Sequence, residues 1–152
     1  MALKPGRKYD EGTDIRYFMN EASERGVIVV FNPATTGTTS MDDPNNQVIL
    51  PTGINQLPAG LLANDVVVGD PSRCCRNFHK DEVFVCSKVT IVRDGWVTTN
   101  MIDAGVTPLA GQPAYFVAGG LLTNVAGSTA VGQWMTSLDA DGYAVVDITV
   151  GS

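Results

Sequence analysis

Glycine and proline are spread along the whole chain, and they restrict its fold more than any other sequence feature. The 152 residues include 16 Gly and 8 Pro, so most of the segments between these residues are short. Between these breakers lie short runs of β-branched and aromatic residues, a pattern typical of strands separated by turns. Beyond residues 15–25 no apolar stripe follows the 3.6-residue spacing of a helix. The sequence therefore predicts an all-β protein, a small β-barrel or sandwich.

Three strand pairs are predicted from alternation and turn chemistry. The first spans 83–102 and turns at Asp94–Gly95, a dipeptide that suits a tight hairpin turn. The second spans 114–123 and turns at Gly119–Gly120, and the third spans 131–150 and turns at 139–142. Further extended runs are expected at 27–31, 47–50 and 60–68.

The first 25 residues differ from the rest of the chain. They are rich in charge and helix breakers and lack strand alternation, so residues 1–25 are expected to form an extended N-terminal arm and 26–152 a β-rich domain. The arm contains the apolar group Tyr17, Phe18 and Met19, which is costly to leave in water. One interpretation is a frayed terminus with a single anchoring turn, and the other is an arm that docks on another subunit.

The charge distribution argues against nucleic acid as a partner. The formal net charge is −6, and no Lys or Arg occurs in 26–71 or in 96–152. Phosphate binding needs a concentrated basic face, which these segments lack. No apolar run approaches the ~20 residues of a membrane span, and no apolar segment typical of a signal peptide follows the N-terminus. We therefore expect no membrane association, and synthesis in a cytosol.

The sequence offers few parts for catalysis. His79 is the only histidine, and neither a nucleophile elbow nor a phosphate-binding loop is present. Cys74, Cys75, His79 and Cys86 could together ligate zinc, but adjacent strand residues point to opposite faces, so free thiols are favoured. An EF-hand beginning at Asp139 would need Glu at its twelfth position, where the chain has Val150. No enzyme activity, metal or cofactor is predicted.

Several segments, taken in order, resemble the head decoration (cement) proteins of tailed bacteriophages. The similarity covers most of the chain and includes the arm and the closing Asp-x-Asp-Gly-Tyr turn. The segments are Gly12 to Val27, Pro58 to Val67, Asn77 to Val83, Val97 to Ile102 and Asp139 to Tyr143.

The resemblance implies a small β-tulip-like or barrel domain on the outer surface of the virion head, made in the host bacterial cytoplasm. Such a domain would bind the expanded head and crosslink neighbouring major capsid protein subunits, commonly as a homotrimer, and so stabilise the shell against internal DNA pressure. The arm residues expected to carry much of the docking are Arg7, Lys8, Arg16, Tyr17 and Phe18.

The alternative function is a capsid-displayed adhesion module that binds glycans. Its expected contact loops are 32–46 and 124–130. Aromatic residues in exposed loops would support stacking on sugars, but both loops lack Trp, Tyr and Phe. The sequence therefore favours capsid decoration.

Overall fold

The computed structural model describes residues 8–9, 13–14, 17–32, 47–65, 82–83 and 88–151, and these residues form an all-β fold without a helix. The prediction of an all-β barrel-like protein is confirmed. The Thr-rich loop at 35–40, the three cysteines and His79 lie outside the described residues. The strands are β1 Lys8–Tyr9, β2 Thr13–Asp14, β3 Phe18–Met19, β4 Ser23–Glu24, β5 Ile28–Phe31, β6 Gln47–Ile49, β7 Pro58–Asp65, β8 Glu82–Val83, β9 Val89–Val92, β10 Asp94–Thr99, β11 Pro113–Phe116, β12 Leu122–Thr123, β13 Gly132–Trp134 and β14 Ala144–Thr149.

The first sheet, here called the barrel sheet, has the strand order β2-β9-β7-β5-β6-β3. It curves back on itself, because Phe18 in β3 forms a bridge with Lys88 just before β9. The Val89 amide also donates a hydrogen bond to the Tyr17 carbonyl oxygen at 3.0 Å. These contacts bring β3 next to β9 and nearly close a barrel.

The second sheet has the order β1-β10-β14-β13-β11-β12. Ile102, which follows β10, forms a parallel bridge with Leu122 in β12, so this sheet also bends towards closure. The strands β4 and β8 form a separate antiparallel pair. Small sheets that curve in this way leave few unpaired strand edges.

A bulge at Gly60 shifts the alternation of side chains along strand β7. The pairing of β5 with β7 shifts register between Val29 and Val30, opposite Gly60, whose φ is 151°. A Cβ atom there would lie 2.6 Å from the Val92 carbonyl oxygen. Only glycine fits this bulge, which places Ala59 and Leu61 in different apolar clusters.

The interior of the barrel is filled by aliphatic side chains. Five of the six strands of the barrel sheet contribute at least one buried residue. They are Met19 from β3, Val29 from β5, Val48 from β6, Ala59 and Leu62 from β7, and Val89 and Ile91 from β9. This alternation of inward and outward side chains is the expected pattern for a small filled barrel.

A second core lies between the two sheets. The outward side chains of the barrel sheet, among them Ile28, Leu61 and Val92, pack there against the inner face of the second sheet. Trp134 and Phe116 are its largest members, with 0% and 1% of their surfaces exposed. Strands β5, β7 and β9 therefore form a wall shared by both cores.

The structure confirms two of the three predicted strand pairs. Strand β11 pairs with β12, and β13 pairs with β14, both antiparallel. The hairpin predicted at Asp94–Gly95 is wrong. Strand β9 lies between β2 and β7 in the barrel sheet, whereas β10 lies between β1 and β14 in the second sheet. At this point the chain crosses from one sheet to the other, and each strand takes its partners from elsewhere in the sequence.

The segment expected to be an N-terminal arm takes part in the sheets wherever the structure describes it. Strand β1 pairs with β10, β2 with β9, β3 with β6 and β4 with β8. The described strands of residues 1–25 extend both sheets. The described part of the chain contains no helix long and apolar enough to cross a membrane.

Candidate interaction surface

The structure describes only some of the five residues expected to dock on a capsid. Arg7 and Arg16 lie outside the described residues, and Lys8 is placed by its backbone, which pairs with Trp96. Phe18 is half-buried in β3, next to the bridge with Lys88. Among the five, the structure describes the side chains of Tyr17 and Phe18 alone, so the part of all five in docking stays a prediction.

Tyr17 belongs to the core of its own chain. Its residue surface is 5% exposed, and its ring lies against Phe31 with the two centroids 5.8 Å apart. Met19, two residues further on, is fully buried inside the barrel. The sequence indicates that this apolar group is costly to expose to water. Tyr17 and Met19 avoid that cost because both are buried within the fold.

Three loops come together at one end of the molecule and form a surface that we call the loop end, residues 51–57, 104–112 and 124–130. The Gln112 side-chain oxygen accepts hydrogen bonds from the Leu109 amide at 3.0 Å and from the Asn124 side-chain amide at 3.1 Å. A Cβ atom added at Gly127 would lie 3.8 Å from the end of the Ile54 side chain. The three loops are therefore neighbours.

The loop end exposes large apolar side chains. Leu57 is 69% exposed, Val125 66%, Leu109 59% and Ile54 45%. A single exposed apolar residue is ordinary on a protein surface, but four on adjoining loops are typical of an interaction site.

The loop end also lacks charge. No Asp, Glu, Lys, Arg or His occurs in 44–64 or in 104–138, the two stretches that supply its loops. The centres of protein interfaces are depleted in charged residues, because burying a charge without a partner is costly. The sequence contains this signal, but its meaning depends on the two stretches being adjacent in space.

The loops are held by their own hydrogen bonds. The Gln56 side-chain oxygen accepts from the Thr52 amide at 2.8 Å and from the Gly53 amide at 3.3 Å. The Pro51 carbonyl oxygen accepts from the Gly119 amide at 2.8 Å, which ties this loop to the β11–β12 turn. Such contacts present the apolar side chains in a defined arrangement, which lowers the entropy lost on binding.

In the acidic turn between β13 and β14, the Asp139 side chain binds the backbone of the turn itself. One Asp139 carboxylate oxygen accepts hydrogen bonds from the Asp141 and Tyr143 amides, both at 2.9 Å. The Gly142 amide donates to the Asp139 carbonyl oxygen at 3.1 Å. This confirms the interpretation of 139–142 as a hairpin turn.

The residues that the structure describes include none of the candidate zinc ligands. Among the described residues, no group of three or more His, Cys, Asp or Glu side chains is arranged to hold a metal ion. Cys74, Cys75, His79 and Cys86 are outside that part of the chain.

No protein-family model matches the chain. No curated protein matches its sequence either.

Proposed function

We propose that this chain is a structural protein of a tailed-phage head, which binds the outer surface of the expanded capsid and crosslinks neighbouring major capsid subunits. The observation that carries the proposal is the uncharged loop end with its exposed Ile54, Leu57, Leu109 and Val125. The resemblance of the ordered sequence segments to decoration proteins points to the same function.

A crosslinking protein needs contacts on more than one part of its surface. Strand β1 pairs with the beginning of β10, at Gly95 and Trp96, whereas the loop end adjoins β11 and β12, and β12 bridges to Ile102 beyond the other end of β10. Contacts through the loop end and through the N-terminal segment would engage separate patches of the shell. Two weak contacts on one rigid body gain from effective concentration when both can form.

The proposed contribution to the shell is interface free energy. A protein that binds only the expanded lattice stabilises that state by mass action, without any chemical step. The net charge of −6 limits self-association in solution, and an uncharged surface avoids burying unpaired carboxylates at the contact. We propose a homotrimer on the shell, with each subunit presenting the same loop end.

The test is co-sedimentation of the purified chain with empty expanded heads that were made without it, using unexpanded proheads as the control. Saturable binding to expanded heads alone is the expected result. Absence of binding to both particles would overturn the proposal.

Paired variants locate the contact. Leu57→Ser with Val125→Ser changes two exposed residues of the loop end, and Met135→Ser with Leu138→Ser changes two exposed apolar residues outside its three loops. We expect the first pair to weaken binding by at least tenfold, about 1.4 kcal/mol, and the second to leave it unchanged. Equal effects of the two pairs would remove the loop end from the contact.

The predicted arm contact is tested by substitution. Deleting residues 1–20 would remove Met19 from the barrel interior and damage the fold. Arg7→Ser with Arg16→Ser removes two positive charges instead. If the arm docks electrostatically, this variant binds more weakly, and the difference from the unchanged protein shrinks at high salt. Unchanged binding at low salt would exclude a role for these two arginines.

A further inference from the structure

The outer face of the second sheet carries a row of aromatic and polar side chains that the proposed capsid contact does not use. In β10 and β14, Val97, Val146 and Ile148 are buried against the barrel sheet. The residues that alternate with them, Trp96 and Asp147, are half-buried and lie on the opposite face. Gln133 and Tyr115 hold the equivalent outward positions in β13 and β11.

Strand register places these residues side by side. Trp96 pairs with Asp147, and Asp147 pairs with Gln133. Pro113 pairs with Gln133, which makes Tyr115 the diagonal neighbour of Gln133. At about 4.8 Å between strands, Trp96 and Gln133 are roughly 10 Å apart. A carboxylate and an amide therefore lie between two aromatic residues.

The polar groups of this row are largely uncommitted. Within the described part of the chain, no hydrogen bond or ion pair engages the Trp96 indole N–H, the Asp147 carboxylate or the Tyr115 hydroxyl. The Gln133 side-chain nitrogen donates to the Gly111 carbonyl oxygen at 3.0 Å, which fixes the amide and leaves its oxygen as an acceptor. These groups point away from the core.

We infer that this row, Trp96, Asp147, Gln133 and Tyr115, is a binding site for a neutral oligosaccharide. Aromatic rings offer flat apolar surfaces to the C–H faces of sugar rings, and their polar ends stay available for hydrogen bonds. The carboxylate accepts hydrogen bonds from sugar hydroxyls, and such charge-assisted bonds are stronger than neutral ones. The length of the row fits several sugar units lying across the strands.

The charges favour a neutral ligand over the other candidates. Asp147 would repel the phosphates of a nucleic acid or the carboxylates of an acidic polymer. The Trp96 indole N–H needs an acceptor, which a sugar hydroxyl supplies and a lysine ammonium does not, and this disfavours a cationic peptide.

The site differs from the glycan contact expected from the sequence. That expectation used loops 32–46 and 124–130, which contain no aromatic residue, whereas the sheet face supplies both Trp96 and Tyr115. A rigid sheet also positions side chains more accurately than loops do. The inference is independent of capsid docking, because the row shares no residue with the loop end.

Tryptophan fluorescence gives a direct test, since the chain has two Trp residues and Trp134 is fully buried. The purified full chain is screened on an array of neutral glycans and then titrated with maltohexaose, cellohexaose, mannohexaose and chitohexaose, with acrylamide as the quencher. We expect saturable binding of at least one of these oligosaccharides, with protection of Trp96 from quenching. Absence of saturable binding across the array and the four titrations would overturn the inference.

Variants separate a site from a non-specific effect. Trp96→Ala is expected to weaken binding roughly tenfold or more, Trp96→Phe less, and Asp147→Asn to weaken it while leaving the fold unchanged. Leu57→Ser with Val125→Ser at the loop end is the matched control and should bind sugar normally. Binding that survives Trp96→Ala overturns the inference. So does preferential binding of oligolysine that depends on Trp96 and Asp147, which would make the row a cationic-peptide site.

Discussion

The two cores of this protein differ in their largest fully buried side chains. The barrel core is mostly aliphatic, with residues such as Met19, Val29 and Ile91, and Tyr17 is the buried aromatic residue among its described members. The layer between the two sheets contains Trp134 and Phe116 as well as aliphatic residues. A barrel of few strands has an interior only wide enough for side chains of modest size, whereas two packed sheets leave a layer about 10 Å thick. The two largest fully buried side chains, Trp134 and Phe116, accordingly lie in the layer between the sheets.

The two cores also share the wall formed by β5, β7 and β9, so we expect them to unfold as one cooperative unit. Ile28 and Val30 in β5 face the layer between the sheets, and Val29 between them faces the barrel interior. A change in either core therefore acts on the same three central strands. We therefore predict that the two cores unfold together.

The largest effect is expected when the biggest fully buried side chain is removed from each core. Trp134→Ala should lower the free energy of unfolding by about 3–5 kcal/mol and Met19→Ala by about 2–5 kcal/mol, because each leaves a cavity. Urea unfolding followed by far-UV and near-UV circular dichroism measures both. The exposed Met135→Ala is the control and should change stability by no more than about 0.5 kcal/mol.

The same experiment tests whether the cores are coupled. Both variants should unfold in a single transition, at the same midpoint by both probes. Two separate transitions in Trp134→Ala would show that the barrel sheet is stable without the second sheet. The two cores would then unfold independently, contrary to the prediction.

A smaller effect is expected at the contact between the sheets. Gly120 in the β11–β12 turn has a φ of 79°, and its carbonyl oxygen accepts a hydrogen bond from the Ile28 amide at 2.8 Å. A Cβ atom at this position would overlap the Ile28 carbonyl oxygen. Gly120→Ala therefore combines backbone strain with a steric clash against the barrel sheet.

Its neighbour Gly119 is a matched control. Gly119 has a φ of 84°, but a Cβ atom there would meet nothing within 4 Å. Gly119→Ala should cost about 1–2 kcal/mol from the left-handed backbone alone, and Gly120→Ala about 1–3 kcal/mol more from the clash. Thermal or urea unfolding of the two variants gives the difference. Equal losses would mean that the turn does not hold the sheets together.

The smallest effect is expected far from both cores, at the β13–β14 turn. Asp139→Ala removes the acceptor of two backbone hydrogen bonds and should cost about 1 kcal/mol. Asp139→Asn keeps an oxygen acceptor at this position and should retain most of the stability. If Asp139→Asn is as unstable as Asp139→Ala, the charge of the carboxylate rather than its hydrogen bonds stabilises the turn.

Local sequence signals were sufficient wherever both partners of a strand pair are close in the chain. Gly119–Gly120 and the Asp139 turn each join neighbouring strands, and both predicted hairpins occur in the structure. The strand predicted at 143–150 likewise occurs as β14, in which buried residues alternate with partly or fully exposed ones. In each case the information lies within a few residues, where turn geometry and side-chain period act directly.

Tertiary structure decided everything that depends on distant segments. Asp94–Gly95 has the composition of a hairpin turn, yet β9 and β10 enter different sheets, because the strands that pair with them come from distant positions in the sequence. The burial of Tyr17, the meeting of two uncharged stretches at the loop end, and the row from Trp96 to Tyr115 all arise in the same way. A sequence specifies which residues must be buried or turned, but long-range pairing selects their neighbours, and those neighbours form the surfaces that bind.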